Sequence, residues 1–184
     1  MHDKKQLRKI IKERKRLLTP QQALSDSLQV MRTIERLPEF AQASRIMLYA
    51  ALPDELPTQQ WIERWRGTKQ LFLPRICGDD LEILPIDTPL IACERFGVME
   101  PTGNNTVCVE SLDLVIVPGI AFDANRYRLG RGKGFYDRLL SGHDHIPTIG
   151  VAHDCQFVPQ VPHESHDVPM HIVITPSHII LKSK

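Results

Sequence analysis

The sequence predicts an α/β fold: a single-domain, three-layer sandwich around a mostly parallel sheet with a mixed or antiparallel edge. Three observations carry this. Ile46 to Tyr49 reads as a strand, Pro57 to Trp65 as a helix and Gln70 to Pro74 as a second strand, a unit whose helical crossover favours parallel pairing. Asp113 to Val117 reads as a buried strand, and Thr148 to Ala152 and Ile172 to Thr175 complete the sheet. Finally, 184 residues with 42% hydrophobic content suit one domain, spanning 1–184, with a substantial core.

The elements follow in order. Over about residues 3–18, Leu7, Ile10, Ile11, Leu17 and Leu18 fall on one side of a helix, while Lys5, Lys9, Lys12, Lys15 and Arg16 lie mostly elsewhere, giving a basic amphipathic N-terminal helix. Thr19 then caps a second helix, with Pro20 in its first turn and Gln22 closing a capping box. Leu24, Leu28, Met31, Ile34 and Leu37 continue at helical spacing. Alternation weakens after the second strand, so Leu81 to Leu84 and the segment around Val107 form short strands or loops. Phe135 to Leu140 reads as a short helix stopped near Gly142.

Charge narrows the function. With 23 basic and 22 acidic side chains, the net charge of +1 gives no global reason to expect nucleic-acid or membrane binding. No run approaches the roughly 20 apolar residues that span a bilayer, and no early stretch has the flanks of a signal peptide, so the expected location is the cytoplasm. Cys77, Cys93, Cys108 and Cys155 form no C-x-x-C pair and read as buried reduced thiols. His163-Glu-Ser-His166 lacks the i, i+4 histidine spacing of a helical zinc site.

The chemistry concentrates in Arg128-Leu129-Gly130-Arg131-Gly132-Lys133-Gly134-Phe135-Tyr136-Asp137-Arg138. Alternating glycines let backbone N–H groups converge on an anion, and Arg131 and Lys133 between them can neutralise phosphate. This is neither a Walker A loop nor a Rossmann turn. Tyr127 stands where the first Walker glycine is needed, Gly134 replaces the hydroxyl residue, and a long connection separates the loop from the strand ending at Val117. The flanks put the loop at the carboxyl end of a strand and before a helix, where α/β proteins bind anions. Asp137 is compatible with a helix-start carboxylate or a magnesium ligand. Lys4 and Arg8, four apart, share a helical face and could grip one phosphate chain or be solvated charges.

Val117-Pro-Gly-Ile-Ala-Phe-Asp123 followed by Arg128 to Arg138 resembles the signature of the 5-formyltetrahydrofolate cyclo-ligase family. The resemblance extends through Lys4-x-x-Leu7-Arg8, Tyr49 and Glu55, Phe96-Gly-Val-Met-Glu-Pro101 and His166-Asp167. Arg126 departs from it, standing where the family usually has glycine. The fold implied is that of CoA-transferase- and ribose-phosphate-isomerase-like proteins.

The resemblance also implies roles. Lys4, Lys5, Gln6, Leu7 and Arg8, with the loop from Arg128 to Tyr136, would hold ATP. Ala50 and Glu55, with Arg131, Gly132, Lys133, Gly134, Phe135 and Tyr136, would hold the reduced folate; Asp137 and Asp167 would hold Mg²⁺. Arg131 and Lys133 are the expected catalytic cations. The implied reaction is ATP- and Mg²⁺-dependent closure of 5-formyltetrahydrofolate to 5,10-methenyltetrahydrofolate, with release of ADP and phosphate, by a monomer or weak homodimer. Two rivals remain open to the residues alone: a non-catalytic nucleotide- or phosphate-sensing module, and a sugar-phosphate isomerase-like enzyme that needs no ATP.

Overall fold

Alternation along the strands decides which side of the sheet each residue joins. On β6 (Leu114–Pro118), Leu114 and Ile116 enter one core while Val115 and Val117 enter the other. The same division separates Ile46 from Met47 on β1 (Arg45–Met47) and Leu71 and Leu73 from Phe72 on β2 (Gln70–Cys77). A sheet buried on both faces in this way demands cover on both, which produces three layers. The computed structural model describes residues 3–87, 90–93, 97, 99–164 and 167–182.

Seven strands form the sheet, in the order β11-β10-β9-β6-β1-β2-β3, where β3 is Asp80–Pro85, β9 Thr148–Val151, β10 Ile172–Ile174 and β11 Ile179–Leu181. The five inner strands are parallel, and both outer ones are antiparallel. The expected mostly parallel sheet is therefore present, with an antiparallel strand at each edge. Leu81 to Leu84 lies inside β3, whereas Val107 contributes one isolated bridge to Ile83. Two small pairs lie outside the sheet: β4 (Leu90–Ala92) with β5 (Met99–Pro101), and β7 (Ala121–Phe122) with β8 (Arg128–Leu129).

One face is covered by α2 (Pro20–Ile34), α3 (Pro38–Gln42) and α4 (Gln59–Trp65) through Val30, Ile34, Phe40, Trp61 and Trp65. The other receives α5 (Phe135–Leu140) through Leu140, together with Met170 and Phe122. The N-terminal helix α1 (Lys4–Lys15) makes a smaller core with Leu7 and Ile11 against Ala121, Leu129, Val158 and Val161. It ends earlier than its periodicity suggests. Leu17 falls in the following turn and is 85% exposed, because the chain must turn there into α2. Thr19 caps α2 as expected, its Oγ1 accepting from the Gln22 N–H at 3.1 Å, but the Gln22 side chain turns inward and donates to Asp26 instead of closing the box. The thiols are free, and the expectation of burial fails: Cys77 and Cys108 are exposed and the other two half-buried. Cys77 ends β2 and Cys108 precedes a 3-10 turn, positions at the margin of the core.

The carboxyl ends of β1, β2 and β6 all open on one side. Between β1 and β6 the chain's direction of progress across the sheet reverses, since β2 and β3 lie to one side of β1 and β6, β9 and β10 to the other. Such a reversal leaves a crevice that no crossover covers.

Candidate active site

The glycine loop is held in that crevice by packing far from its own residues. Phe122 on β7 packs closely against the sheet, and a Cβ on Gly150 of β9 would approach its ring to 2.4 Å, one on Gly119 to 2.6 Å. Only glycine at these two places lets Phe122 sit so deep. The β7-β8 pair is thereby pinned over the carboxyl end of β6, and the loop leaves from the end of β8.

The turn between β7 and β8 is organised by Asp123, which is fully buried. Its Oδ1 accepts from the N–H groups of Asn125 and Tyr127 at 2.9 and 3.0 Å, and its Oδ2 from Val161 N–H at 2.8 Å. A buried carboxylate with three donors is compensated and fixes the turn. Arg126 lies within it at φ 67°, the left-handed region. This accounts for the departure noted in the sequence: the backbone still takes the conformation glycine favours, and the Arg126 guanidinium Nε donates to Met170 O at 2.9 Å.

Beyond β8 the loop wraps around guanidinium groups. A Cβ on Gly130 would meet Arg128 Nη1 at 2.7 Å, and one on Gly134, at φ 67°, would meet Arg138 Nη1 at 2.9 Å. Arg138 Nη1 also donates to Lys133 O at 2.9 Å, and Arg8 Nε to Gly130 O at 2.9 Å, so two cations buttress the loop through its carbonyls. Among the described residues, no carbonyl accepts from the N–H of Gly132, Lys133 or Gly134. These donors suit an anion.

The loop, α1 and the end of β1 enclose a cavity of about 670 Å³. Into its wall come Lys4, Arg8, Ala50, Glu55, Asp137 and Asp167, as well as every loop residue from Arg128 to Tyr136. Residues spread over the whole sequence thus share one chamber. Lys5, Gln6 and Leu7 do not join them: Lys5 and Gln6 face solvent, and Leu7 is buried in the small core under α1. Helical geometry gives the reason: Lys4 and Arg8, four apart, share a face, Lys5 and Gln6 turn away from it, and Leu7 is drawn into the core beneath the helix.

Several charged groups in the wall are paired with one another or with neighbours. Arg131 donates to Asp54 Oδ1 at 2.6 Å and, through Nε and Nη2, to Glu55 Oε1 at 3.1 and 3.0 Å. Burial opposes the Arg131 charge, but Glu55 and Asp54 outweigh it and raise its pKa. Asp54 is in turn held below the ordinary carboxylate range, against burial, by Lys15 at 2.6 Å and Arg131. Glu55 Oε2 accepts from Leu52 N–H at 3.0 Å. Lys4 donates to Asp167 Oδ2 at 2.8 Å and Glu164 Oε1 at 3.1 Å, bonds that raise its pKa although burial pulls the other way. Burial, and then the nearby Glu55 carboxylate, push the Tyr136 phenol upward, so it stays protonated.

Arg128 is the most deeply placed cation, its side chain 5% exposed. Its Nη2 donates to Asp137 Oδ2 at 2.8 Å and its guanidinium lies 5.5 Å from the centre of the Tyr136 ring. Its Nε is buried with no hydrogen-bond partner among the described residues. A buried guanidinium donor left unpaired is costly, and an anion in the cavity offers an acceptor.

Asp137 and Asp167 face the same cavity, charge-paired to Arg128 and Lys4 respectively. No group of three or more metal-ligating side chains occurs among the described residues. Two carboxylates match Mg²⁺, which keeps waters and takes phosphate oxygens as further ligands. The donor set therefore fits such an ion arriving with a nucleotide. Phe96, Val98 and His166, which carry part of the sequence resemblance, lie outside the described residues.

Sequence reasoning missed Asp54, Glu164 and Arg138. Asp54 adjoins Glu55 and Glu164 lies three residues before Asp167, so a search for acidic neighbours of the assigned carboxylates would have found them. Arg138 had no local signal, since its role depends on folding back over Gly134.

Comparison with known proteins places these features in a group. The model of the 5-formyltetrahydrofolate cyclo-ligase family matches residues 1–176. The 5-formyltetrahydrofolate cyclo-ligase of Escherichia coli K12 is 34% identical over 92% of this chain and 98% of its own, and that of Mus musculus 28% identical over 93% and 92%. The solution structure of Aquifex aeolicus 5,10-methenyltetrahydrofolate synthetase superposes with a TM-score of 0.85 at 31% identity, covering 96% of this chain and 91% of that one.

Proposed function

Since the chain belongs to the 5-formyltetrahydrofolate cyclo-ligase family and has that family's activity, we propose how its own residues divide the work. The observation that carries the reading is the convergence of the glycine loop, two α1 cations, two aspartates and Glu55 on one cavity. ATP lies along the loop with its phosphates on the free N–H groups of Gly132 to Gly134, between Lys4 and Arg8 on one side and Lys133 on the other. Asp137 and Asp167 hold Mg²⁺, which when bound neutralises phosphate charge. The reduced folate occupies the part of the cavity walled by Ala50, Glu55, Phe135 and Tyr136.

The reaction joins the formyl oxygen to the γ-phosphorus as the bond to ADP breaks, giving a phosphorylated imidate. N10 then bonds to the formyl carbon and loses its proton, and phosphate departs with the former formyl oxygen. The protein supplies alignment and positive charge, with no covalent nucleophile. Arg131 is held by Asp54 and Glu55 and Lys133 is solvent-exposed. On this reading both turn onto the transferring phosphoryl group, and Arg131 exchanges a carboxylate for a phosphate oxygen. Tyr136, kept protonated, can donate but cannot act as a base near neutral pH. We place the enzyme in the cytoplasm as a monomer or weak homodimer without a nucleic-acid partner; among the described residues no helix is long and apolar enough to cross a membrane.

The test is a near-ultraviolet time course with purified protein, 5-formyltetrahydrofolate, ATP and Mg²⁺, each omitted in turn. The methenyl chromophore should appear only in the complete mixture. Its appearance without ATP or without Mg²⁺ would overturn the phosphoryl-transfer reading.

A further inference from the structure

Helix α1 carries a cation that lines no part of the cavity and yet reaches its chemistry. Lys15, the last residue of α1, comes about three turns after Lys4, so it leaves the helix on the same side as Lys4 and Arg8. Its side chain is 7% exposed. The ammonium donates to Asp54 O at 2.7 Å and to Asp54 Oδ2 at 2.6 Å, 39 residues away in the chain. The other oxygen of that carboxylate, Oδ1, accepts from Arg131 Nη2 at 2.6 Å. Asp54 thus stands between two cations with one oxygen turned to each. Neither Asp54 nor Lys15 belongs to the cavity wall, which Arg131 and Glu55 join.

The two bonds of Lys15 do different work. The bond to the carbonyl ties the end of α1 to the segment after β1, an ordinary structural contact. The bond to the carboxylate sets charge. Lys15 and Arg131 together balance Asp54 and Glu55, so the four groups form a neutral cluster. Without Lys15 the cluster has a net negative charge beside the glycine loop, and Arg131 is the one cation left to Asp54 among the described residues. A carboxylate with one cation holds it more firmly than a carboxylate shared between two, and the uncompensated charge opposes an incoming polyphosphate.

We propose that Lys15 is a positioning residue for the phosphoryl transfer: by neutralising Asp54 from behind, it lets Arg131 leave that carboxylate and turn onto the transferring group. The inference rests on the reading of Arg131 as a catalytic cation. When Arg131 turns, Lys15 stays, so Asp54 keeps a charged partner and the move leaves no bare carboxylate there. Glu55 likewise keeps the Leu52 N–H on its Oε2. One helix then serves the phosphates from both of its ends. Lys4 and Arg8 face the cavity near the start of α1, and Lys15 at its end sets the charge of the place where Arg131 rests.

The test is a double-mutant cycle read by steady-state kinetics. Lys15→Met should lower kcat roughly tenfold and leave the folate KM within about twofold, because Lys15 touches no substrate. In an Asp54→Asn background the same substitution should change kcat by less than about twofold, since no carboxylate remains there to neutralise. The bond to Asp54 O survives Asp54→Asn, so a purely structural Lys15 would cost the same in both backgrounds; equal losses overturn the proposal, as does an unchanged kcat in Lys15→Met alone. Lys15→Gln, which keeps a donor for the carbonyl without the charge, gives the same readings should Lys15→Met fail to fold. Arg131→Ala separates the causes of a failure. If it lowers kcat while the Lys15 variants do not, Lys15 alone is wrong; if it leaves kcat unchanged, the reading of Arg131 falls too.

Discussion

Arg131 and Glu55, 76 residues apart in the chain, meet in the cavity, with guanidinium Nε and Nη2 both donating to carboxylate Oε1 at 3.1 and 3.0 Å. A cation assigned to the phosphate and a carboxylate assigned to the folate are thus each other's partners. Any ligand that draws one away alters the other, which links the two substrate sites through a single ion pair. Glu55→Gln is expected to raise the folate KM about tenfold and to lower kcat, because an amide holds Arg131 less firmly than a carboxylate does. Steady-state kinetics with each substrate varied should show it; a collapse of ATP affinity with folate affinity intact would mean that the division of the cavity is reversed.

Lys133 is exposed, and its backbone carbonyl, not its side chain, is what Arg138 holds. Lys133→Ala should therefore leave the fold intact by circular dichroism while lowering kcat about 10²- to 10³-fold, the usual scale for removing one transition-state charge contact. Near-normal turnover would remove Lys133 from the chemistry.

Asp137→Asn should shift the magnesium titration of activity to higher concentration by roughly 10- to 100-fold, the scale on which metal sites respond to lost supporting groups. Arg128 also loses its charge partner, so a melting curve of the variant belongs beside the titration. An unchanged half-saturation would take Asp137 off the ligand list.

Arg126 offers a stability test of the turn before the loop. Alanine at φ 67° keeps the left-handed strain and loses the bond to Met170, whereas glycine relieves the strain. Arg126→Gly should melt above Arg126→Ala by the equivalent of about 1 kcal/mol, or about 2–4 °C for a domain of this size. Equal melting temperatures would show that the turn carries no such strain.

Stability should also fall in mild acid. Burial holds the His171 imidazole below its ordinary value of 6.5, against the opposing pull of the Asp144 carbonyl. Protons therefore bind the unfolded chain more readily, so this contribution is fully present above about pH 6.5 and drains away as the pH drops through the depressed folded value. Melting temperatures measured between about pH 7.5 and 5.5 should decline more steeply in the wild type than in His171→Gln. Parallel slopes would remove His171 as a source of the dependence.

Much of this was legible in the chain because it is locally encoded. The strands β1, β2, β6, β9 and β10 and the helices α1, α2, α4 and α5 announce themselves through periodicity and caps, since burial of one face is a repeating demand. Helix α3, five residues long, offers too few turns for periodicity to register. The β4-β5 hairpin escaped notice because Ile91 and Met99 are exposed and give no clean alternation. Leu17 misled because an apolar residue in phase with a helix need not lie within it. The glycine loop was read from residues 128–138 alone, yet the reason for Gly130 and Gly134, the guanidinium groups stacked over them, is a tertiary fact.

By itself the sequence determined the composition of the site: which cations, glycines and carboxylates exist, and which of them share a helical face or a loop. Local spacing fixes those relations because helix and strand geometry are the same in every protein. Only the tertiary structure decided the partners. That Arg131 meets Glu55 and that Phe122 rests on Gly150 follow from strand order and register. These contacts join segments many residues apart, and no local pattern records which of the available acids or glycines the folded sheet will bring opposite each one.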